Sequence, residues 1–515
     1  MNKNEWESMN EAEFEGLLEN SVSDLPPEDI VADVTPWKKA MNRVLLGMAL
    51  SAVTLNFLCL NFILPAIGLA LSILGFRALR RENKWFGACF AITLLRSAYL
   101  YPSLILNCTI YQNSVYDSPA GTVLSVVNII LLFALFYCLR GGLRTVQKKA
   151  GLPPHAGGAV ALIVWYALLC VLGLIHYNGI VIAGAMIVGY VFIIRSLFKL
   201  SGELDEAGYV VQTAPTKVSD RAIVIGIAVV LLIGCACGYL FWDSYDMAWE
   251  PLNTQEQSEV QKIKTELLEL GFPEHILNDM SDEDIIACSG ATQVIVDVDD
   301  HPANEGRLVE TRTPGEPGSG VDWQINIDTV FDEKELRITG VAVRLPGERE
   351  NWKIIQHFEW TINPGFFGTD AIQLWPAYRH GQGWRSAGEI TGRVLYDKDG
   401  TSYAAPYWFI GEKTFTSSFL FFGESTSTDV FAAFSLPTNG ERQRGYVSYP
   451  ITETQHGYIA DCWINYTHQV SRFQYPVTTA MEKRLTNSWN NAGAFLTIQD
   501  ALQFYSTDDG TKLIN

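Results

Sequence analysis

No His-Glu-x-x-His pair occurs anywhere in the 515 residues, so a commonplace zinc-protease signature is missing. No carboxylate falls within any long apolar stretch, and none faces a second one there. Intramembrane carboxylates mark proton relays and cation sites because burying one is costly, so their absence disfavours a coupled pump. Basic residues are scarce: 37 Lys and Arg stand against 56 Asp and Glu, and a net charge of -19 argues against nucleic acid as a partner. Only two of the nine cysteines, Cys288 and Cys462, lie beyond residue 242, which makes them a candidate disulfide pair. Residues 1–42 contain no glycine-rich phosphate loop and no kinase-like motif, so inward signalling would need a partner protein.

What is present changes sharply along the chain. Residues 1–42 hold ten Asp or Glu and three Lys; residues 43–242 are dominated by Leu, Ile, Val, Ala and Gly; residues 243–515 carry 40 acidic and 20 basic side chains. The first region reads as an acidic cytoplasmic tail. The second reads as an α-helical polytopic membrane region with seven spans, near 44–60, 61–76, 85–106, 122–139, 159–175, 179–194 and 222–242. Val44 to Phe76 fits either one over-long helix or a hairpin, and charge decides between them. Lys38, Lys39 and Arg43 precede it and Arg77, Arg80, Arg81 and Lys84 follow it; only a hairpin puts both clusters in the cytoplasm. Continued alternation places Arg140 to Lys149 and Arg195 to Arg221 inside, and the loop 107–121, which has no basic residue, outside. The expected protein therefore sits in the plasma membrane with its N-terminus cytoplasmic and residues 243–515 extracytoplasmic. The first apolar stretch begins near residue 44 with no small-residue cleavage site after it, so it reads as a retained anchor and not a signal peptide.

The stretch "LPPEDIVADVTPWKKAMNRVLLGMAL", continuing through "LPAIGLALSILGFRALRRENKWFGACF", resembles the N-terminal part of uncharacterised multi-pass membrane proteins of Gram-positive anaerobes. The likeness covers about residues 25–97; it implies a bacterial plasma membrane and no particular activity. One cation lies deep in the spans. Arg96, isolated at the bilayer centre, would cost at least ~2.5 kcal/mol. It must snorkel, contact Asn56, Asn61, Asn128 or freed carbonyls, line a wet cavity, or pair with another chain. Ala185 with Gly189, and Gly234 with Gly238, form small-xxx-small pairs expected to pack helices within the chain.

Beyond the membrane region, Thr254 to Gln257 has capping-box form and Val260, Ile263, Leu267 and Leu270 recur at helical spacing before Gly271 and Pro273. Ser281 caps a second helix carrying Ile285 and Ile286. Residues 243–290 thus read as a helical connector. From Thr292 the period becomes two: Val294, Val296 and Val298; Val321, Trp323, Ile325 and Ile327; Trp352, Ile354, Phe358, Trp360 and Ile362. Many short strands predict a mainly antiparallel, sandwich-like domain over 291–515, with a bulge at Gly340, a hairpin turn at Asp399-Gly400 and one or two helices in "TTAMEKRLTNSW" and "TIQDALQFYS".

The favoured binding stretch is "LWPAYRHGQGWRS". Trp375, Tyr378 and Trp384 offer flat faces to a sugar or peptide, and Arg379, His380 and Arg385 offer donors to a carboxylate or phosphate. The competing reading has the tryptophans capping the sheet core. Asp297, Asp299, Asp300 and Glu305 lack the ligand order of an EF-hand and read as a solvated loop. Cys462 is a weak nucleophile candidate beside His456, Asp461 and His468 in sequence. No catalytic set, metal site or cofactor is expected. The partners expected are membrane lipids, an envelope polysaccharide or peptide, and a membrane or cytoplasmic protein. A non-enzymatic binding or sensing protein is the preferred function; a transport component or a membrane-anchored enzyme acting on envelope polymers is the alternative.

Overall fold

The computed structural model describes residues 34–52, 59–175, 179–212, 218–252, 258–303, 307–314, 323–330, 333–419, 423–486, 492–507 and 510–514. The chain divides into two compact units, Met1–Leu106 with Gln112–Cys235, and Asn107–Tyr111 with Ala236–Asn515.

The first unit is helical. After a short strand β1 (Val34–Pro36) come α1 (Trp37–Ala52), α2 (Leu60–Leu79), α3 (Lys84–Leu106), α4 (Gln112–Tyr116), α5 (Pro119–Lys149), α6 (Gly157–Leu174) and α7 (Ile180–Glu206), then strand β2 (Val210–Gln212) and α8 (Asp220–Phe241). Six of these helices, α2, α3, α5, α6, α7 and α8, are long and apolar enough to cross a membrane, the mark of a membrane protein. Strand β1 pairs with β2. Lys38 meets Asp205 at 3.2 Å, Arg43 meets Asp220 at 2.7 Å and Lys149 meets Glu82 at 2.7 Å. These contacts gather the start of α1, the α2–α3 turn, the ends of α5 and α7 and the start of α8 at one end, so successive long helices alternate in direction. Several helices outrun their expected spans there: α5 continues to Lys149 and α7 to Glu206 because the basic and acidic residues beyond the apolar stretch still favour helix.

Between Val44 and Phe76 the chain forms two antiparallel helices, and residues 53–58 fall outside the described ones. Glycine permits their close approach: a Cβ on Gly68 would lie 2.5 Å from the Gly47 carbonyl oxygen, and one on Gly75 2.5 Å from Val44 Cγ2. Ser51 and Ser72 turn their hydroxyls back onto the Gly47 and Gly68 carbonyls at 2.8 and 2.9 Å, so each is satisfied within its own helix.

The second unit is built around two antiparallel sheets. Its elements are β3 (Glu250–Pro251), α9 (Ser258–Glu269), α10 (Glu274–Asp279), α11 (Asp282–Ile286), β4 (Gln293–His301), β5 (Arg307–Pro314), β6 (Trp323–Val330), β7 (Leu336–Leu345), β8 (Asn351–Trp360), β9 (Asp370–Trp375), β10 (Trp384–Ser386), β11 (Thr391–Lys398), β12 (Thr401–Pro406), β13 (Phe409–Phe419), β14 (Gly423–Phe434), β15 (Glu441–Glu453), β16 (Ala460–Gln469), α12 (Ala480–Thr486), β17 (Phe495–Thr507) and β18 (Gly510–Leu513). One sheet has the order β3-β12-β11-β15-β8-β7-β4 with β10 on β15, the other β13-β14-β9-β16-β17-β18, and β5 pairs with β6 alone. Period-two alternation sends Trp352, Ile354, Phe358 and Trp360 from the first sheet, and Ile372, Leu374, Ile464 and Tyr466 from the second, into one core.

The other face of the first sheet is covered too. Helices α9 to α11 pack Val260, Ile263, Leu267, Ile276 and Ile285 over Val341, Val343 and Ile355, so the segment expected as a connector forms a layer of this unit. Strand β8 is therefore buried on both faces. The cap expected at Ser281 is formed, its Oγ accepting from Asp284 N at 3.2 Å; Thr254 to Gln257 lie outside the described residues.

Three local expectations are corrected or met. Gly340 is not a bulge: its strand stays in register with both neighbours, and a Cβ there would approach Leu502 Cβ to 2.8 Å across the sandwich. "TIQDALQFYS" is strand β17, because Ile498, Leu502 and Phe504 alternate inward against β16; "TTAMEKRLTNSW" supplies α12. The Asp399-Gly400 turn is formed as expected, with φ of +52° and +76°.

Candidate functional site

The turn after β9 separates the six residues of the favoured binding stretch. Tyr378 and Trp384 belong to the sandwich core. Tyr378 Oη donates to Glu412 Oε1 at 2.7 Å, and burial together with that carboxylate pushes its pKa up; Trp384 Nε1 donates to the Ile459 carbonyl at 3.1 Å. The core-capping reading holds for these two because the turn folds the chain back over the edge of the sheet. His380 and Arg385 are exposed.

Trp375 and Arg379 instead lie on the outer face of the six-stranded sheet. The Arg379 guanidinium stacks 4.2 Å over the Trp375 ring and makes a two-point contact with Asp429, Nε to Oδ1 at 2.6 Å and NH2 to Oδ2 at 3.3 Å. Gln373 Nε2 donates to Asp429 Oδ2 at 2.6 Å, and Arg484 Nε from α12 donates to Gln373 Oε1 at 2.7 Å. Trp463, directly opposite Trp375 on β16, holds its ring centroid 6.3 Å away. Asp429 is 1% exposed, so Arg379 is committed to it and is not a free anion receptor. Burial lowers the Arg484 pKa despite the attraction of Asp429, and Arg379 adds to the lowering. What results is a pair of half-buried indoles, locked from beneath by a charged network.

Sequence reasoning missed Gln373, Asp429, Trp463 and Arg484. Asp429 carried a signal, a carboxylate opening the apolar strand end "DVFAAF"; its partners are set by strand pairing and carried none.

The remaining chemical candidates resolve into structure. Cys288 and Cys462 are free thiols buried in different clusters, so the candidate disulfide is not formed. Burial pushes both thiols up to about 12, which leaves Cys462 without a thiolate. Along the same strand His468, 2.8 Å from Asp370, lies six residues on, about 20 Å at 3.3 Å per residue. Asp297, Asp299 and Asp300 lie on strand β4, not in a loop, and Asp300 pairs with Arg337 at 2.8 Å; Glu305 lies outside the described residues. Glu350, Glu453 and His456 bring one ligand atom each within 4.8 Å of one another, but Glu350 accepts from Trp352 and Ser506 and His456 lies 3.0 Å from Glu453, a polar turn complete without an ion.

A buried ionic layer fixes α10 and α11 to the first sheet. Asp284 accepts from Lys353 at 2.7 Å, Thr391 at 2.5 Å and Tyr446 at 2.6 Å; Asp279 meets His357 at 2.9 Å and Arg444 at 2.7 Å. Burial raises both carboxyl pKa values, but the Lys353 ammonium with its neighbouring hydroxyls outweighs it at Asp284, and His357 and Arg444 outweigh it at Asp279. Both end below the usual carboxylate range.

In the helical unit, Arg96 Nε donates to Asn128 Oδ1 at 3.1 Å. Asn61 stands at the start of α2 and is not bonded to Arg96; Asn56 lies outside the described residues. Two small cavities adjoin Arg96. One is lined by Ser51, Ser72, Thr93, Tyr166 and Tyr190 together with Met48, three leucines and Phe136, the other by Ser51, Pro65, Tyr99 and Asn128 with two leucines. The glycine pairs divide. Gly234 and Gly238 pack within the chain, against Ile105 and Cys108, whereas Ala185 and Gly189 face outward with open space beside Gly189, contrary to the expectation of internal packing.

No protein-family model and no curated protein matches the chain. Among solved structures, a chain from "Complete structure of manganese lipoxygenase of Gaeumannomyces graminis and partial structure of zonadhesin of Komagataella pastoris" covers 44% of this chain and 86% of its own at 7% identity, with a TM-score of 0.18. A likeness that low carries no argument about fold or function.

Proposed function

We propose that the chain is a plasma-membrane protein that crosses the bilayer seven times and displays a β-sandwich on the extracytoplasmic side to bind or sense an envelope polysaccharide, peptide or partner protein. Seven passes follow if α1 (Trp37–Ala52) joins the six long apolar helices. The inside assignment is supported by Arg43, Arg77, Lys149 and their basic neighbours at a single end of the helices. An even number of passes would return residues 243–515 to the cytoplasm.

The binding reading rests on the Trp375–Trp463 pair. Two large aromatic side chains remain half-exposed on a sheet face while an unusually costly arrangement, a buried carboxylate shared by Arg379 and Gln373, orients the surface beneath them. Preorganised aromatic faces lose little entropy on contact, which suits sugar rings and peptide side chains. Catalysis is disfavoured by the protonated, buried Cys462 and by the engagement of His357 and His468 with buried carboxylates.

The test is binding of enzymatically released cell-wall fragments to the purified full chain. Trp375→Ala and Trp463→Ala are each expected to weaken binding roughly 30-fold, about 2 kcal/mol, with the fold retained. Arg385→Ala should bind as wild type. Equal affinity in all four proteins, or no binding by the wild type, would overturn the reading.

A further inference from the structure

The helical unit holds a charge that its own sequence does not balance. Between residues 34 and 242 the acidic residues are Glu82, Asp117, Glu203, Asp205, Glu206 and Asp220, all in turns or at helix ends. Glu82, Asp205 and Asp220 are already paired with Lys149, Lys38 and the two arginines Arg43 and Arg77. Arg96 stands twelve residues from the start of α3 and ten from its end, about 18 and 15 Å at 1.5 Å per residue. Its side chain spans neither distance, and a guanidinium does not give up its proton in a protein.

The surroundings set polar groups among apolar ones. Among the described residues Arg96 bonds to Asn128 through Nε, and its side chain lines both cavities. Asn128, which accepts through Oδ1, lines the second of them. The cavities offer about 50 and 80 Å³ to the centre of a water-sized sphere, where a single water needs ~10–15 Å³. Ser51, Ser72 and Thr93 have spent their protons on backbone carbonyls at 2.7–2.9 Å, so their oxygens accept. Water bridging an anion to such oxygens donates one hydrogen to each, while the guanidinium and the Asn128 amide donate to the anion directly.

The geometry points to a small hydrated inorganic anion of the chloride class, bound between Arg96 and Asn128 as the counter-ion of the helical unit. A carboxylate on a partner's transmembrane helix offers the same charge. It would have to enter beside Tyr99 and Asn128 and would displace the free anion.

The test uses the full chain in nanodiscs of neutral phosphatidylcholine at constant ionic strength, with chloride or bromide exchanged for gluconate, which is too large for the cavities. Wild type is expected to show a saturable rise in Tm with chloride or bromide, and Arg96→Gln none. Asn128→Asp, which places a carboxylate beside the guanidinium, should match the stability of chloride-loaded wild type in gluconate and lose the dependence. A wild-type Tm indifferent to the anion, an equal rise in Arg96→Gln, or a retained rise in Asn128→Asp would overturn the proposal. So would co-purification of a chain whose intramembrane carboxylate cross-links to residue 96.

Discussion

Asp284→Ala is expected to destabilise the sandwich unit by about 3–5 kcal/mol, the usual consequence of removing one partner of a buried ion pair. Lys353 is only 6% exposed and would be left as an unpaired ammonium beneath α11, with Thr391 and Tyr446 also losing their acceptor. Hydrogen exchange on the full chain should report the loss as weaker protection of β8, β11 and β15 and of helices α9 to α11. The double change Asp284→Leu with Lys353→Met removes both charges and should recover most of the difference, because no charge is then buried alone. Acid should have a related effect on the wild type. A carboxylate held below its unfolded pKa of ~3.9 stabilises the fold above that value, and its contribution is lost as pH falls through the folded pKa. Asp279 and Asp284 both titrate in that sense, so wild-type stability should fall below about pH 4 and Asp284→Ala should show a shallower acid limb.

Gly68→Leu is expected to be at least as damaging to the helical unit. The new Cβ would meet the Gly47 carbonyl oxygen at 2.5 Å, and a backbone atom cannot rotate away as a side chain can. Helices α1 and α2 would have to separate along their whole contact, including the Val44–Gly75 approach, so the cost should exceed the ~1–3 kcal/mol of ordinary overpacking. The measurement is the yield and Tm of the purified full chain. Gly226→Leu is the control, since a Cβ there meets nothing within 4 Å and the variant should behave as wild type.

Periodicity makes much of this architecture readable in the sequence. The long helices announce themselves by unbroken apolar runs, and Trp352, Ile354, Phe358 and Trp360 announce a strand face by strict alternation. What stayed hidden depends on partners distant in sequence. Gly340 looked like a bulge because the approach of Leu502 lies across the sandwich. Residues 497–506 place Ile498 and Leu502 four apart, a spacing that also fits a helix, and pairing with β16 selects the strand. The binding stretch was read as one cluster, whereas the turn after β9 sends Tyr378 and Trp384 inward and Trp375 and Arg379 onto the sheet. The network beneath Trp375 comes from β9, β14 and α12, which no local spacing connects. Arg96 was legible as an anomaly of composition, and of the partners weighed for it Asn128 is bonded, beside two cavities.

Everything proposed for the sandwich depends on the side of the membrane it occupies. A membrane-impermeant thiol reagent applied to intact cells carrying His380→Cys or Lys148→Cys decides this directly, since both positions are exposed and Cys288 and Cys462 are buried. The expected result is labelling above the parent chain at position 380 in intact cells, and at position 148 only after permeabilisation. Labelling of 380 only after permeabilisation, whether or not 148 labels in intact cells, would place the sandwich in the cytoplasm and contradict the proposed function.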